Sequence, residues 1–160
     1  MDKIWAPWRK KYIEQKIDKK CIFCEGPKKK RDRSSYIIKK SKYSFVMLNL
    51  YPYNNGHLII APYRHVSDLD RLEENELLDL MQLVIQSKKL IGKTLKPDGY
   101  NLGINIGKIA GAGFEGHVHI HLVPRWSGDT NFMPVISNTK VISQSLESLF
   151  KSLKKRIKSC

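Results

Sequence analysis

Short runs of aliphatic and β-branched residues, separated by polar turn residues, predict a series of β-strands along the chain. Five strands are predicted, at 36–40, 45–48, 56–61, 100–106 and 117–123. The first two are expected to form a hairpin around Ser41 and Lys42.

Hydrophobic positions at helical spacing predict two helices. The first begins after Ser67, which resembles an N-cap followed by acidic residues, and it ends near Gly92. Its apolar stripe consists of Leu69, Leu72, Leu77, Leu80 and Val84. The second helix is predicted over 140–157. Strand pairs packed around one long helix predict an α+β fold with a five-stranded antiparallel sheet.

The length of the chain sets the scale of the fold. Its 160 residues and 18.5 kDa suit one domain over 1–160, with an N-terminal arm at 1–20 and a basic tail at 151–160. Apolar runs are far shorter than the ~20 residues that span a bilayer. We therefore expect a cytoplasmic protein that has no membrane partner.

The formal net charge of +14 raises the question of an anionic partner. The basic residues are spread along the chain, and aromatic residues do not alternate with them as stacking platforms would. A solvated surface explains the charge, and so does electrostatic steering of a polyanionic substrate. A nucleic-acid partner is not expected.

Three histidines at every second position form the most specific pattern of the chain. In a β-strand His117, His119 and His121 would lie on one face, about 6.6 Å apart, and the apolar residues between them on the other. Neutral imidazole is a common metal ligand, and it is also a nucleophile and an acid–base group. The strand therefore predicts either a metal site or nucleophilic catalysis.

A second pattern is the C-x-x-C of Cys21 and Cys24. Three cysteines in this chain do not suggest a disulfide framework, and the surroundings of the pair do not favour a thioredoxin-like motif. Two thiolates at this spacing suit zinc. Because there is no second C-x-x-C, the other ligands are expected to be histidines.

The run His117-Val-His-Ile-His-Leu-Val123 resembles the signature of the histidine-triad (HIT) family. The resemblance implies an enzyme acting on nucleoside phosphates. In this interpretation His119 attacks the α-phosphorus and forms a nucleotidyl-imidazole intermediate. His121 donates to the phosphate or leaving group, and His117 orients the site.

The segment 45–62 resembles the fragile-histidine-triad branch of the family. The resemblance implies that Asn49 holds the ribose, that His57 supports the catalytic face and that Asn105 contacts phosphate. Further nucleotide-binding positions are expected in the glycine-rich loop 107–116, at Gly107, Gly111 and Gly113. Many members carry Gln and Ser or Thr where this chain has Gly113 and Glu115, so the leaving-group contacts remain unassigned.

The ends of the chain resemble a bacterial subgroup related to diadenosine-tetraphosphate phosphorylases, on segments 5–12 and 125–134. The resemblance to zinc-bearing members implies that His65 and His117 complete a structural Cys₂His₂ zinc site with Cys21 and Cys24. It also implies a homodimer with a continuous sheet and no organic cofactor.

These observations predict a nucleotidyl hydrolase or transferase that cleaves dinucleoside polyphosphates at the α-phosphate. Phosphorolytic adenylyl transfer and phosphoramidate hydrolysis are alternatives within the family. Two rivals come from other classes, namely a nucleotide-binding module with negligible turnover and a zinc hydrolase with three histidine ligands.

Overall fold

The computed structural model describes residues 21–29, 32–129 and 142–158. Its strands are β1 Ile37–Lys40, β2 Ser44–Leu48, β3 Leu58–Pro62, β4 Gly99–Ile104 and β5 Ile120–Arg125. Its helices are the one-turn α1 Ile22–Glu25, the long α2 Glu74–Leu95 and α3 Leu146–Lys158. Short 3₁₀ turns occupy Asp32–Ser35 and Leu69–Arg71.

The five strands form one antiparallel sheet in the order β1-β2-β3-β5-β4, which confirms the predicted α+β architecture. One face of the sheet packs against α2 and α3 and forms the larger core. The opposite face carries a smaller cluster that includes Phe23, Phe45 and Ile59. None of the helices in the three described ranges combines the length and the hydrophobicity that a membrane span requires.

The predicted start of the long helix is wrong. The Asp68 side chain accepts a hydrogen bond from the Leu69 amide and begins only the 3₁₀ turn, after which Leu72 is extended. Helix α2 begins at Glu74, where Glu73 and Glu76 form a capping box. Leu69 and Leu72, predicted for the helical stripe, therefore lie before the helix.

The end of α2 also differs from the prediction, since the helix runs past Gly92 to Leu95 and stops at Lys96, which adopts a left-handed conformation. A Cβ at Gly92 would lie 3.1 Å from the Tyr100 hydroxyl. Gly92 is therefore not the C-cap of α2. Its lack of a side chain allows Tyr100 of β4 to approach the helix.

The C-terminal helix begins later than predicted, at Leu146, where the Ser145 hydroxyl accepts a hydrogen bond from the Ser148 amide. The predicted positions 140 and 141 lie outside the described residues, as does the arm 1–20. Most of the predicted basic tail is part of this helix, and its Leu153 is fully buried in the larger core.

Candidate functional site

The three histidines lie on one face of the sheet and are all buried. The rings of His119 and His121 are 4.9 Å apart between centroids. The intervening Val118, together with Ile120 and Leu122, belongs to the larger core on the other face, as the alternation predicted. The ladder of β5 begins only at Ile120, and before it the Val118 amide bonds to the Val66 carbonyl.

The proton of His119 is fixed by its backbone partner. Nδ1 of His119 lies 2.9 Å from the carbonyl oxygen of His117 and must donate to it, because a carbonyl can only accept. Burial lowers the pKa of His119 and favours the neutral ring. In this tautomer Nε2 has no proton, so its lone pair is available as a nucleophile.

The proton of His121 follows from a chain of three groups. The Tyr53 amide donates to Nδ1 of His57 at 3.0 Å, so the proton of a neutral His57 lies on Nε2. That nitrogen is 2.9 Å from Nδ1 of His121 and donates to it. Burial lowers the pKa of His121 to about 4. A neutral His121 therefore carries its proton on Nε2, as a hydrogen-bond donor.

Asn49 takes part in the same network. Its Oδ1 accepts a hydrogen bond from the Tyr51 amide at 3.0 Å, and its Nδ2 lies 3.1 Å from Nδ1 of His57. His57 therefore lies beside the third histidine of the triad, and its supporting role stays a prediction. The contact of Asn49 with ribose stays a prediction, and the observed partners of the amide lie within the protein.

The glycine-rich loop precedes the triad. Gly107 and Gly111 have φ values of +80° and +87°, which favour glycine. The loop is closed by hydrogen bonds of its own, from the Gly111 amide to the Lys108 carbonyl and from Asn105 Nδ2 to the Gly111 carbonyl at 3.3 Å. Phosphate contacts of Asn105 and these glycines stay predictions.

The edge strand β4 leaves space next to the triad. Gly103 pairs with His121 in the sheet, and a Cβ at Gly103 would meet no atom within 4 Å. Because glycine has no side chain, the space beside His121 on this face of the sheet stays unfilled. Composition and spacing did not single out this glycine.

The predicted metal ligands converge on one point. Nδ1 of His117 lies 3.4 Å from Sγ of Cys21 and 3.6 Å from Sγ of Cys24, while Nδ1 of His65 lies 3.3 Å from Cys24 Sγ and 3.3 Å from His117 Nδ1. All four ligand atoms lie within 4.8 Å of one another. Zn–S and Zn–N bonds at a tetrahedral angle would give S···N and N···N distances of about 3.6 and 3.3 Å.

The surroundings of this cluster also suit a metal. Nε2 of His117 donates to the Pro62 carbonyl at 2.9 Å, which leaves the Nδ1 lone pair directed at the cysteines. A Cβ at Gly116 would lie 3.0 Å from His65 Nε2, so a larger residue there would press on this imidazole ring. Burial and the neighbouring Cys21 raise the pKa of the Cys24 thiol, and a divalent cation would reverse this effect.

Two aromatic residues of the site were not anticipated from sequence. The buried ring of Phe23 lies between the cysteines in sequence and packs on His119 and His117 at centroid distances of 4.6 and 5.2 Å. Tyr53 packs on His57 and His121 at 4.6 and 5.7 Å. In the sequence, these two residues are marked only by their positions, since Phe23 lies within the C-x-x-C and Tyr53 lies between Asn49 and His57.

Comparison with known proteins agrees with this geometry. The family model described as HIT domain matches residues 30–128. An AP-4-A phosphorylase of Mycobacterium tuberculosis is 36% identical over 155 residues, which cover 91% of this chain and 79% of that protein. An adenosine 5′-monophosphoramidase of Saccharomyces cerevisiae is 35% identical over 109 residues, covering 68% of this chain and 65% of that protein.

Among solved structures, a hypothetical histidine triad nucleotide-binding protein of Sulfolobus tokodaii superposes with a TM-score of 0.69 at 27% identity. The match covers 87% of this chain and 93% of that one. Given the domain match, the relative at 36% identity and the three buried histidines of β5 and of the segment that leads into it, this chain belongs to the histidine-triad (HIT) family.

Proposed function

We propose that this protein is a nucleotidyl hydrolase or transferase that cleaves dinucleoside polyphosphates at the α-phosphate through a covalent intermediate on His119. One observation carries the proposal: the hydrogen bonds leave a lone pair on Nε2 of His119 and a proton on Nε2 of the adjacent His121. A nucleophile and a donor on neighbouring rings are the two groups that phosphoryl displacement needs.

In the first step Nε2 of His119 forms a bond to the α-phosphorus while the bond to the bridging oxygen breaks. The positive charge that develops on the ring is stabilised by the hydrogen bond from Nδ1 to the His117 carbonyl. The departing polyphosphate leaves as an anion, and Nε2–H of His121 donates to its oxygen. Water or inorganic phosphate then attacks the phosphorus, displaces His119 and releases the nucleotide.

The nucleotide contacts are assigned by position. Asn49 is proposed to meet the ribose, while Asn105, Gly107, Gly111 and Gly113 are proposed to surround the phosphates. Support comes from the loop's amides, which lie on an exposed turn directly before the triad. The net charge of +14 would attract a polyanionic substrate over long distances.

We also propose that zinc binds Cys21, Cys24, His65 and His117 as a structural ion. The donor atoms are thiolate and imidazole, their spacing fits tetrahedral coordination, and four protein ligands leave no open position for a reacting water. The ion would hold the backbone of His117 in place, and with it the carbonyl that orients His119. Reduced thiols of this kind suit the cytoplasm, the compartment we expect.

A homodimer with a continuous sheet is proposed from two exposed features. Strand β4 is an edge of the sheet, and its Leu102 is 54% exposed. Helix α2 carries an exposed apolar stripe of Leu78, Met81 and Ile85. Lys88 and Gly92 continue this stripe at the same helical spacing. The Lys88 carbonyl accepts a hydrogen bond from the Tyr100 hydroxyl of β4, and a Cβ at Gly92 would lie 3.1 Å from that hydroxyl. The stripe therefore lies on the β4 side, where a second copy would cover both.

The second candidate is nucleoside phosphoramidate hydrolysis. It is favoured by the likeness to the yeast monophosphoramidase and by the donor on His121, which would serve an amine leaving group as well as a phosphate. The two reactions share the His119 intermediate and differ only in what leaves.

Product analysis tests these assignments. The protein is incubated with diadenosine tetraphosphate and with adenosine 5′-phosphoramidate, each with and without inorganic phosphate. Release of AMP and ATP from the dinucleotide indicates hydrolysis, whereas ADP and ATP in the presence of phosphate indicate phosphorolysis. If neither substrate is consumed while nucleotide still binds, the protein is a binding module and the proposed activity is wrong.

A further inference from the structure

We propose that the ring of Tyr53 is a stacking platform for a nucleobase of the substrate, which makes Tyr53 a specificity-determining residue. The inference deepens the proposed function and rests on it, because it requires a nucleotide at the triad. Tyr53 lies in the segment 49–57 that joins β2 to β3.

The position of the ring supports this assignment. It stacks on His121 with a centroid distance of 5.7 Å and an interplanar angle of 27°, and it packs on His57 at 4.6 Å. Nevertheless 51% of the residue remains exposed. The site thus presents a large aromatic surface to solvent one ring beyond the proposed leaving-group donor.

Among the described residues, the other aromatic rings in the smaller cluster of this sheet face are buried or half-buried. Phe45 and Tyr63 stack on each other at 5.5 Å, and Phe23 is buried against His119. Of the described aromatic residues that contact the triad, Tyr53 is the one with a large exposed ring. Aromatic rings beside a phosphate-binding group commonly stack the attached bases, because every base has a π-face.

The backbone of Tyr53 holds the ring in this place. Its amide donates to Nδ1 of His57, and His57 is bonded in turn to His121 and Asn49. A platform fixed by such a network loses little conformational freedom when a base binds. Either nucleoside of a dinucleotide could reach this ring, and in both cases the group that stacks is a nucleobase. The test distinguishes the base of the retained nucleotide from the base of the leaving nucleotide.

The first part of the test compares the wild-type protein, Tyr53→Ala, Tyr53→Phe and the control Tyr43→Ala. Tyr43 lies on the distant hairpin, where its ring contacts Lys42. The values of kcat and KM are measured with diadenosine tetraphosphate, which has two bases, and with adenosine 5′-tetraphosphate, which has one. All variants keep the backbone amide that orients His57.

Tyr53→Ala is expected to raise KM for the dinucleotide about 5- to 150-fold, the range for loss of one stacked base. Tyr53→Phe and Tyr43→Ala should stay close to wild type. If KM rises for both substrates, the base of the retained nucleotide stacks on Tyr53. If it rises only for the dinucleotide, the base of the leaving nucleotide does.

Binding separates this inference from the proposed activity. Diadenosine tetraphosphate is titrated calorimetrically into His119→Gly and into His119→Gly with Tyr53→Ala, so that turnover is not needed. A weaker affinity of the double variant supports the platform even if the wild-type protein proves inactive. Equal affinities overturn it. A lower kcat with a shifted pH profile and unchanged KM would also overturn it, because Tyr53 would then only support His121.

Discussion

The carbonyl oxygen of His117 accepts the hydrogen bond of His119 Nδ1 at 2.9 Å. The same His117 directs its own Nδ1 at the two cysteines and donates from Nε2 to Pro62. One residue thus joins the candidate metal cluster to the candidate nucleophile. Disturbing the cluster is therefore expected to affect the orientation of His119, although no cysteine would touch substrate.

Loss of a metal ligand tests this connection. Cys21→Ser is expected to abolish bound zinc and to cost about 3 kcal/mol or more, which lowers the Tm by about 6–12 °C for a chain of this size. The value of kcat should fall as well, because the His117 carbonyl is no longer held. Elemental analysis, calorimetry and kinetics measure the three effects.

The matched control for that variant is Cys160→Ser, which removes a thiol and keeps both cysteines of the cluster. It should retain the zinc content and Tm of the wild-type protein. Full zinc content in Cys21→Ser, or no zinc in wild-type protein prepared without chelators, would contradict the proposed ligand set.

The second prediction concerns the proton chain that ends on His121. His57→Ala removes the donor to His121 Nδ1, so the tautomer of His121 is no longer fixed. We expect kcat to fall about 10- to 100-fold, the range for loss of supporting hydrogen bonds around site histidines, with a small change in KM. His57→Asn, whose amide can donate, should recover part of kcat. Equal losses of kcat in both variants would contradict a catalytic role of the hydrogen bond from His57 to His121.

The third prediction concerns helix α3. Leu153 is fully buried in the larger core, so Leu153→Ala should cost about 2–5 kcal/mol of stability. Its exposed neighbour Lys151 provides the control, and Lys151→Ala should be close to neutral. Denaturant unfolding measures both. Truncation of 151–160 would therefore unfold the domain, not merely remove surface charge.

The fourth prediction tests the proposed dimer. Ile85→Glu places a carboxylate in the exposed apolar stripe of α2 and should shift the protein to monomer in analytical ultracentrifugation. Gln82→Glu adds the same charge at an exposed position of the same helix outside the stripe, and should leave the mass unchanged. A monomeric wild-type protein, or two dimeric variants, would contradict the interface.

The sequence predicted those features of the site that depend on local spacing. The alternation of the triad placed Val118, Ile120 and Leu122 in the core and the histidines on the opposite face, because side-chain direction in a strand has period two. Two of the four candidate metal ligands followed from the C-x-x-C, whereas His65 and His117 came only from the family resemblance. Spacing cannot predict these two histidines, because they lie 41 and 93 residues from Cys24 in the sequence and only the fold brings them close to it.

The errors arose where two local signals competed. Ser67 was predicted to cap the long helix, but its neighbour Asp68 caps only a 3₁₀ turn, and the reciprocal bonds of Glu73 and Glu76 start α2. Gly92 resembled a C-cap, yet its role is to admit the Tyr100 hydroxyl. The placement of Phe23 and Tyr53 against the triad depends on tertiary contacts, which hydrophobic periodicity does not encode.

The proposed reaction requires a covalent nucleotidyl intermediate on His119, which can be trapped. The wild-type protein, His119→Ala and His121→Ala are mixed with diadenosine tetraphosphate, quenched within milliseconds to seconds, digested and analysed by mass spectrometry under conditions that preserve phosphoramidates. We expect an adenylyl group on the peptide that contains His119 in the wild-type protein. His119→Ala should show none and lose several orders of magnitude in kcat. An adenylyl group on another residue, or near-wild-type turnover of His119→Ala, would show that His119 is not the nucleophile.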